Sequence, residues 1–523
     1  MDTKRQNGIT TAPKSVGRTR GRGVALSLAV VTSAALVGGV LAPRMSAAEK
    51  EINPYPETRA EIAAYKEHLI RKHHEEISDY PEEVTEISTL EELFEYAGKS
   101  RVHVRMRPGV YSIGLDNYQN LWNREKTGST LLLFSGDNSF YDLSGVTIRI
   151  DTAVGNSEGG LTNEVRVTGD NLILEGLTVR LIGRYKAIRS GSWNRGEAFT
   201  QHGSNNLLQG VEVVSRGSWP YGYGEWKFTV GYHDILRKAR PSTSMRSAFD
   251  ARGQNNVYAD VEIYHRGIGH VLKWRGGPLS HTWIDCIVQG EVRLSDDILN
   301  GESGGFYDDR ATLPEDLELS EYMQPGRIVP LVEDAFRSYS ATGKLKILGC
   351  TVRDCRSAIK RGDYEELFVS NTTLSGICGG AFRIGMGQNG RIVNCKVDLA
   401  GGILFLYGGN KAEVDITVLP NPYPSDVLSV HTKKKSGIID GTGGKITLRA
   451  GKGLNPEKVK KDKLLSASDY ISDYFSLVAK YIENPDQVEP ENPMEDTPDE
   501  WGMDEFLLGL LGRRRGKDPG FFE

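Results

Sequence analysis

The stretch AFDARGQNNVYADVEI, residues 248–263, decides the architecture of this chain. A short apolar strand opens it, Gly and Asn turn it, and a second strand rich in Val and Ile closes it. The same unit reads AFTQHGSNNLLQGVEV at 198–213, VLKWRGGPLSHTWIDCIV at 271–288 and AFRSYSATGKLKILGCTV at 335–352. It continues as AIKRGDYEELFVSNTTL from 358, AFRIGMGQNGRIVNCKV from 381, ILFLYGGNKAEVDITV from 403 and VLSVHTK from 427. The unit starts step by 50, 23, 64, 23, 23, 22 and 24 residues, so a coil of about 23 residues recurs and the two long steps are coils with insertions. Helical repeats would need apolar residues three and four apart, which these units lack. Strands that recur at this period stack on one another, which predicts an all-β parallel β-helix solenoid. Weaker copies, VRVTGDNLILEGLTVRL at 165–181 and LLLFSGDNSFYDLSGVTIRI at 131–150, extend it toward the N-terminus.

A solenoid grows by adding coils, so 523 residues fit one elongated domain, and 60 glycines suit a tight turn in every coil. Residues 1–48 read as a signal peptide. Basic residues precede an apolar run from Val24 to Ala42, and Ser46, Ala47 and Ala48 offer a cleavage site. The run is also long enough for an uncleaved anchor. Export, to the outside or the periplasm, is common to both, with no stable membrane span once the signal is cleaved. Removing this segment takes seven basic residues and one acidic residue from totals of 64 and 69, leaving 57 against 68 and a net charge of −11. That acidity argues against nucleic acid as a partner and requires any attraction for anions to be local.

Residues 49–100 read as a helical N-terminal cap, with helices over 57–75 and 89–98, the second opening on a capping box from Thr89 to Glu92. A helix there would act as a lid on the solenoid's open end. The β-helix spans 101–450, with insertions at 214–247 and 289–334. Residues 451–523 hold a helix near 467–482 and an acidic, proline-containing tail. Cys286, Cys350 and Cys395 recur at one position of the coil, with Asn371 in the coil between the last two, which predicts a buried ladder rather than metal or redox chemistry.

Aligning the opening strands places Phe199, Phe249, Leu272, Phe336, Ile359, Phe382, Leu404 and Leu428 in one inward column. Because strand side chains alternate, the next column points outward: Thr200, Asp250, Lys273, Arg337, Lys360, Arg383, Phe405 and Ser429. Two residues on come His202, Arg252, Arg275, Tyr339, Gly362, Gly385, Tyr407 and His431. The reading predicts an exposed cationic rail. Coils stack at ~4.8 Å, where like charges repel by roughly 1 kcal/mol per neighbour in water, and a polyanion along the rail would relieve them. Arg361 falls at a nominally inward position, which predicts a local irregularity there.

The insertions add candidates. The first carries Trp219, Tyr221, Tyr223, Trp226 and Tyr232, whose flat faces suit sugar rings, and which would equally form a small core under a loop. The second carries Asp296, Asp297, Glu302, Asp308 and Asp309, which leave calcium open as a cofactor with no other cofactor indicated.

With these features the chain resembles the right-handed parallel β-helix proteins of the pectate lyase-like superfamily over roughly residues 100–450. The resemblance implies that the β-helix is right-handed, flanked by the N-terminal helical cap and short C-terminal helical tail read above. It also implies a polysaccharide bound along the outer face of one sheet. Activity does not follow from the fold, because the superfamily includes lyases, hydrolases, epimerases, tailspikes and adhesins. Lyases of the alginate and dermatan type set a Lys and an Arg on neighbouring coils, and Lys273 and Arg337 occupy comparable places. The Asn-Thr-Asp, Asp-Asp and His-Gly set of polygalacturonases is missing, as is the Asp-Pro-His element of alginate epimerases, and no calcium-binding Asn-Glu-Glu set can be matched.

The expected chemistry is β-elimination on an anionic, uronic-acid-containing polysaccharide, which needs a base, a cation on the carboxylate and a donor for the leaving oxygen. Lys273, crowded by Arg275, Arg252 and Arg337, is the candidate base. Arg337 and Arg275 hold the carboxylate, and Asp250 orients Lys273. His202, His270, Tyr339 or Tyr232 protonates the leaving group, or replaces a lysine that stays charged. Lys360 and Arg383 grip sugars further along. The alternatives are glycoside hydrolysis, pairing Asp250 with an acid of the second insertion, and a noncatalytic glycan-binding or adhesive solenoid.

Overall fold

In the computed structural model the described residues fall within 52–182, 196–215, 247–294, 328–420, 437–453 and 464–466, apart from gaps of a few residues. The sites expected for the signal segment, most of both insertions and the C-terminal helix and tail lie outside them.

Apolar strand openings recurring every coil form an eleven-stranded parallel sheet among the described residues. Its strands run in the order Thr130–Phe134, Asn163–Val167, Glu197–Gln201, Ser247–Ala251, Leu272–Arg275, Asp334–Tyr339, Ser357–Asp363, Gly380–Gly385, Ile403–Tyr407, Gly437–Gly441 and Leu464–Ser466. The second half of each coil contributes two more strands, such as Asn256–Ala259 and Glu262–His265, which pair in parallel with their counterparts one coil away. An antiparallel pair, Val292–Leu294 with Ile328–Pro330, stands at the base of the second insertion. The fold class is therefore an all-β parallel β-helix.

The inward column forms as the alternation predicts. Phe199 pairs with Phe249, Phe249 with Leu272, Leu272 with Phe336, Phe336 with Ile359 and Ile359 with Phe382. Phe199 and Phe249 stack with ring centroids 4.9 Å apart, Tyr258 stacks on Trp283 at 3.8 Å, and edge contacts from Phe249 and Phe336 to Trp283 join the two walls. Offset and edge-on ring contacts of this kind add about 0.5–1.5 kcal/mol each beyond area burial. The column expected to end at Leu428, Ser429 and His431 lies outside the described residues. The strand that follows Ile403–Tyr407 is Gly437–Gly441, with Ile439 against Phe405. At Arg361 the register to the next coil shifts between Lys360 and Asp363, so Asp363 rather than Gly362 pairs with Gly385.

One turn of each coil requires a left-handed backbone. Gly176, Gly210, Asp260, Asp285, Gly349, Asn371 and Asn394 fill it, with φ between 50° and 71°. Only Gly, Asn and Asp adopt that region at little cost. The next residue points inward, so Thr372 and not Asn371 shares the column of Cys286, Cys350 and Cys395. The four described cysteines, including Cys355, are buried thiols outside any disulfide. The thiols of the column sit against backbone carbonyls, such as Cys286 Sγ to Tyr258 O at 3.3 Å. Burial pushes the Cys286 thiol well up and the Cys395 thiol up to about 12.

Both N-terminal helices form, over Arg59–Glu76 (α1) and Leu90–Tyr96 (α2), each behind a Thr-to-Glu capping box. Their placement differs from a shared lid. Leu90, Leu93 and Ala97 of α2 and its end enter the main core, so α2 is the cap. The longer α1 instead lies along the flank. Its Ile62 and Tyr65 pack on Ile284, Leu348, Phe368 and Val393, while Ile77 packs on Ile173, Leu207, Val257 and Ala259. An 18-residue helix is ~27 Å long, which matches about six steps of ~4.8 Å between those strands. Lys66 bridges Asp260 and Asp285, and Arg59 reaches Asp285, so α1 is pinned to the acidic members of the left-handed turn column. No described helix is long and apolar enough to cross a membrane.

Candidate functional site

Stacking in register brings the outward column together as expected. Arg166 pairs with Thr200, then Asp250, Lys273, Arg337, Lys360 and Arg383 follow rung on rung. Exposure differs from the expected rail. Thr200, Asp250, Lys273, Arg337 and Lys360 are all buried, Lys273 and Lys360 to 4 % exposure and Arg337 to 5 %. A buried charge must be paired, and carboxylates that the column alignment did not single out do the pairing. Glu197 contacts Lys273 Nζ from two coils away. Asp334, fully buried, lies 3.6 Å from Arg337 Nη1 and 3.4 Å from Arg356 Nη2. Burial by itself would raise the Asp334 pKa, but Lys360, Arg356, His270 and Arg337 around it hold the carboxyl well below its usual range. Asp250 stands on the rung beside Lys273, as expected, but its hydrogen bonds go to Arg252, just past the end of its own strand, at 2.8 Å.

Glu197 and Asp334 had a signal in the sequence. They open their strands at the residue two before the apolar column, where Asn163, Ser247, His270 and Ser357 also stand. Read vertically, that column is polar throughout these coils. Arg166 and Arg356 stand out less in the sequence, the first because its coil is a weak copy of the repeat.

The half-exposed row is the one two residues on: His202, Arg252, Arg275 and Tyr339. Tyr339 Oη lies 2.6 Å from His270 Nε2, and His270 Nδ1 lies 3.2 Å from Asp334 Oδ2. The negative charge of Asp334, at ion-pair distance from Nδ1, favours the ring proton on that nitrogen, with Nε2 then accepting from the Tyr339 hydroxyl. Arg337 and Arg275 flank the phenol, their guanidinium carbons 4.6 and 5.2 Å from its ring centre. At the other end of the row Arg166 Nη2 donates to His202 Nδ1 at 2.8 Å. Burial, with Arg252 and Arg166 nearby, pushes the His202 pKa down to about 4, so the ring is neutral at neutral pH.

Several buried polar atoms of this surface have no hydrogen-bond partner: Arg166 Nε, His202 Nε2, Arg275 Nε, and Nε and Nη1 of Arg337. These five are donors, and the acceptor Asp334 Oδ2 beside them also lacks a hydrogen-bond partner. Leaving a buried donor unsatisfied costs about 1–3 kcal/mol, so the spare N–H groups suit a ligand that brings acceptors. Glu197, Asp250 and Asp334 are each engaged by cations, which makes them poor calcium ligands, and no group of three or more metal-binding side chains occurs among the described residues. Asp296, Asp297, Glu302, Asp308 and Asp309, on which calcium rested, lie outside the described residues, as do Trp219, Tyr221, Tyr223, Trp226 and Tyr232. Arg383 keeps its place in the ladder.

No protein-family model matches the chain, and no curated protein matches it. Among solved structures it is similar to one titled as the crystal structure of pectate lyase Pel9A, with a TM-score of 0.25 and 12 % identity over 68 % of this chain and 82 % of that one. A likeness that distant transfers no residue roles, and the fold stands on the register of the strands themselves.

Proposed function

We propose that this chain is a polysaccharide lyase, acting outside the cytoplasm on a uronic-acid-containing polymer by β-elimination. One observation carries the reading: the Asp334, His270, Tyr339 run ends at a half-exposed phenol set between two arginines. Lys273 is engaged by Glu197 as an ion pair, so the base role moves from lysine to Tyr339. As Tyr339 Oη takes the C5 proton of the uronate, its own proton passes to His270 Nε2, and Asp334 stabilises the imidazolium. Arg275 and Arg337 neutralise the substrate carboxylate as negative charge spreads onto it. The C4–O4 bond breaks, a C4–C5 double bond forms, Tyr339 passes the proton to O4, and His270 returns its proton to the phenol. Hydrolysis is less favoured, because the described carboxylates of the site are already committed to cations.

The test is incubation with alginate, pectate and glycosaminoglycans while following the ultraviolet absorbance of an unsaturated uronide. Absorbance should rise, and Tyr339→Phe should reduce the rate by about 10²-fold or more without loss of fold. New reducing ends without absorbance would indicate hydrolysis, and binding with neither product would leave a noncatalytic module.

A further inference from the structure

The donors of the site without a hydrogen bond fall into two groups. Arg275 Nε and Arg337 Nε flank Tyr339, while Arg166 Nε stands on the strand Asn163–Val167 and His202 Nε2 just past the strand Glu197–Gln201. Between them the rung of Asp250 and Arg252 is internally neutral, with the guanidinium gripped by the carboxylate at 2.8 and 3.4 Å. Lys273 is likewise matched by Glu197. The two donor groups are three rungs apart, or ~14 Å at ~4.8 Å per rung.

The Arg166 to His202 contact fixes what this remote group offers. A guanidinium only donates, so His202 Nδ1 is the acceptor and Nε2 carries the hydrogen. Arg166 adds its charge and its spare Nε–H. A neutral imidazole N–H beside a guanidinium suits one carboxylate or sulfate oxygen pair. Nothing in the elimination chemistry uses it, because it lies three strand steps from the phenol.

We propose that Arg166 and His202 form a second anion seat, so that the ligand is a chain bearing acidic groups ~14 Å apart, one seated at Tyr339 and the other here. This deepens the lyase reading and rests on it for the ligand class. A ligand too short to reach both seats gains nothing from the second, whereas a longer one gains a charge-assisted contact.

The experiment measures binding by calorimetry in the Tyr339→Phe protein, whose slowed turnover, about 10²-fold or more, leaves the ligand intact over a titration. The probes are two-unit and six-unit oligomers of galacturonate, of mannuronate and guluronate, and of sulfated glucuronate. The longer oligomer should bind more tightly, and adding His202→Phe or Arg166→Met should shrink that advantage by roughly tenfold or more. His202→Gln, which retains a donor near Nε2, should keep more of it than His202→Phe. The second seat is overturned if both changes leave the length advantage intact while Arg275→Met abolishes it, a result that spares the lyase reading. Failure of every oligomer to bind sinks both.

Discussion

At the scale of single residues, the column of Lys273, Arg337 and Lys360 illustrates how burial changes the meaning of a charge. On an exposed wall these cations would be a diffuse attraction for polyanions. Buried, each needs a counter-ion, and Glu197 and Asp334 supply them. Removing one partner of a buried pair leaves an uncompensated charge, which costs about 3–5 kcal/mol, whereas replacing both by apolar groups is often close to neutral. Lys273→Met should therefore lower the urea midpoint markedly, and Lys273→Met with Glu197→Leu should recover most of it. Equal loss in the single and double variants would show that the pair is not coupled. Asp334→Asn removes the carboxylate from three cations at once and should destabilise more than Lys273→Met in the same assay.

At the scale of elements, α1 holds the coils together from outside. Ile62 is fully buried between Ile284, Leu348, Phe368 and Val393, so Ile62→Ala should cost about 2–5 kcal/mol. The other end of α1 carries a pH dependence. His73 is buried, with Nδ1 2.8 Å from Leu69 O, and burial lowers its pKa below the ordinary 6.5. The unfolded chain therefore binds the proton more readily than the folded one. The contribution of neutral His73 is fully present above pH ~6.5 and fades as the pH falls below it. Hydrogen exchange should report faster opening at the C-terminal turns of α1 at pH 5 than at pH 7, and His73→Phe should flatten that difference. An unchanged pH response in the variant would assign it to other groups, such as His103, whose pKa burial also lowers.

At the scale of the molecule, coils are bound mainly to their neighbours, and the cysteine column is a reporter of whether they open. Cys286, Cys350 and Cys395 are buried within the solenoid, and the raised pKa values of Cys286 and Cys395 disfavour the reactive thiolate. Thiol labelling of these positions should be negligible in the native protein and rise together with loss of β structure in denaturant. Labelling that precedes unfolding would reveal coils that open separately.

The amino-acid sequence by itself determined the coil period, the parallel β-helix, the inward ring of Phe and Leu, and the Gly, Asn and Asp turns. Each rests on chemistry local to a few residues: alternation along a strand, or a backbone conformation only certain residues accept. It also brought Lys273, Arg337, Lys360 and Arg383 into one ladder, because stacking repeats their position. Tertiary structure alone decided that the first three are buried, that Glu197 reaches Lys273 across two coils, and that Asp334 stands behind His270 and Tyr339. It likewise set α1 on the flank and moved the Cys column from Asn371 to Thr372. The physical reason is that burial and ion pairing depend on groups distant along the chain, and a repeat fixes which residues share a column without fixing what covers it or which counter-ion reaches across it.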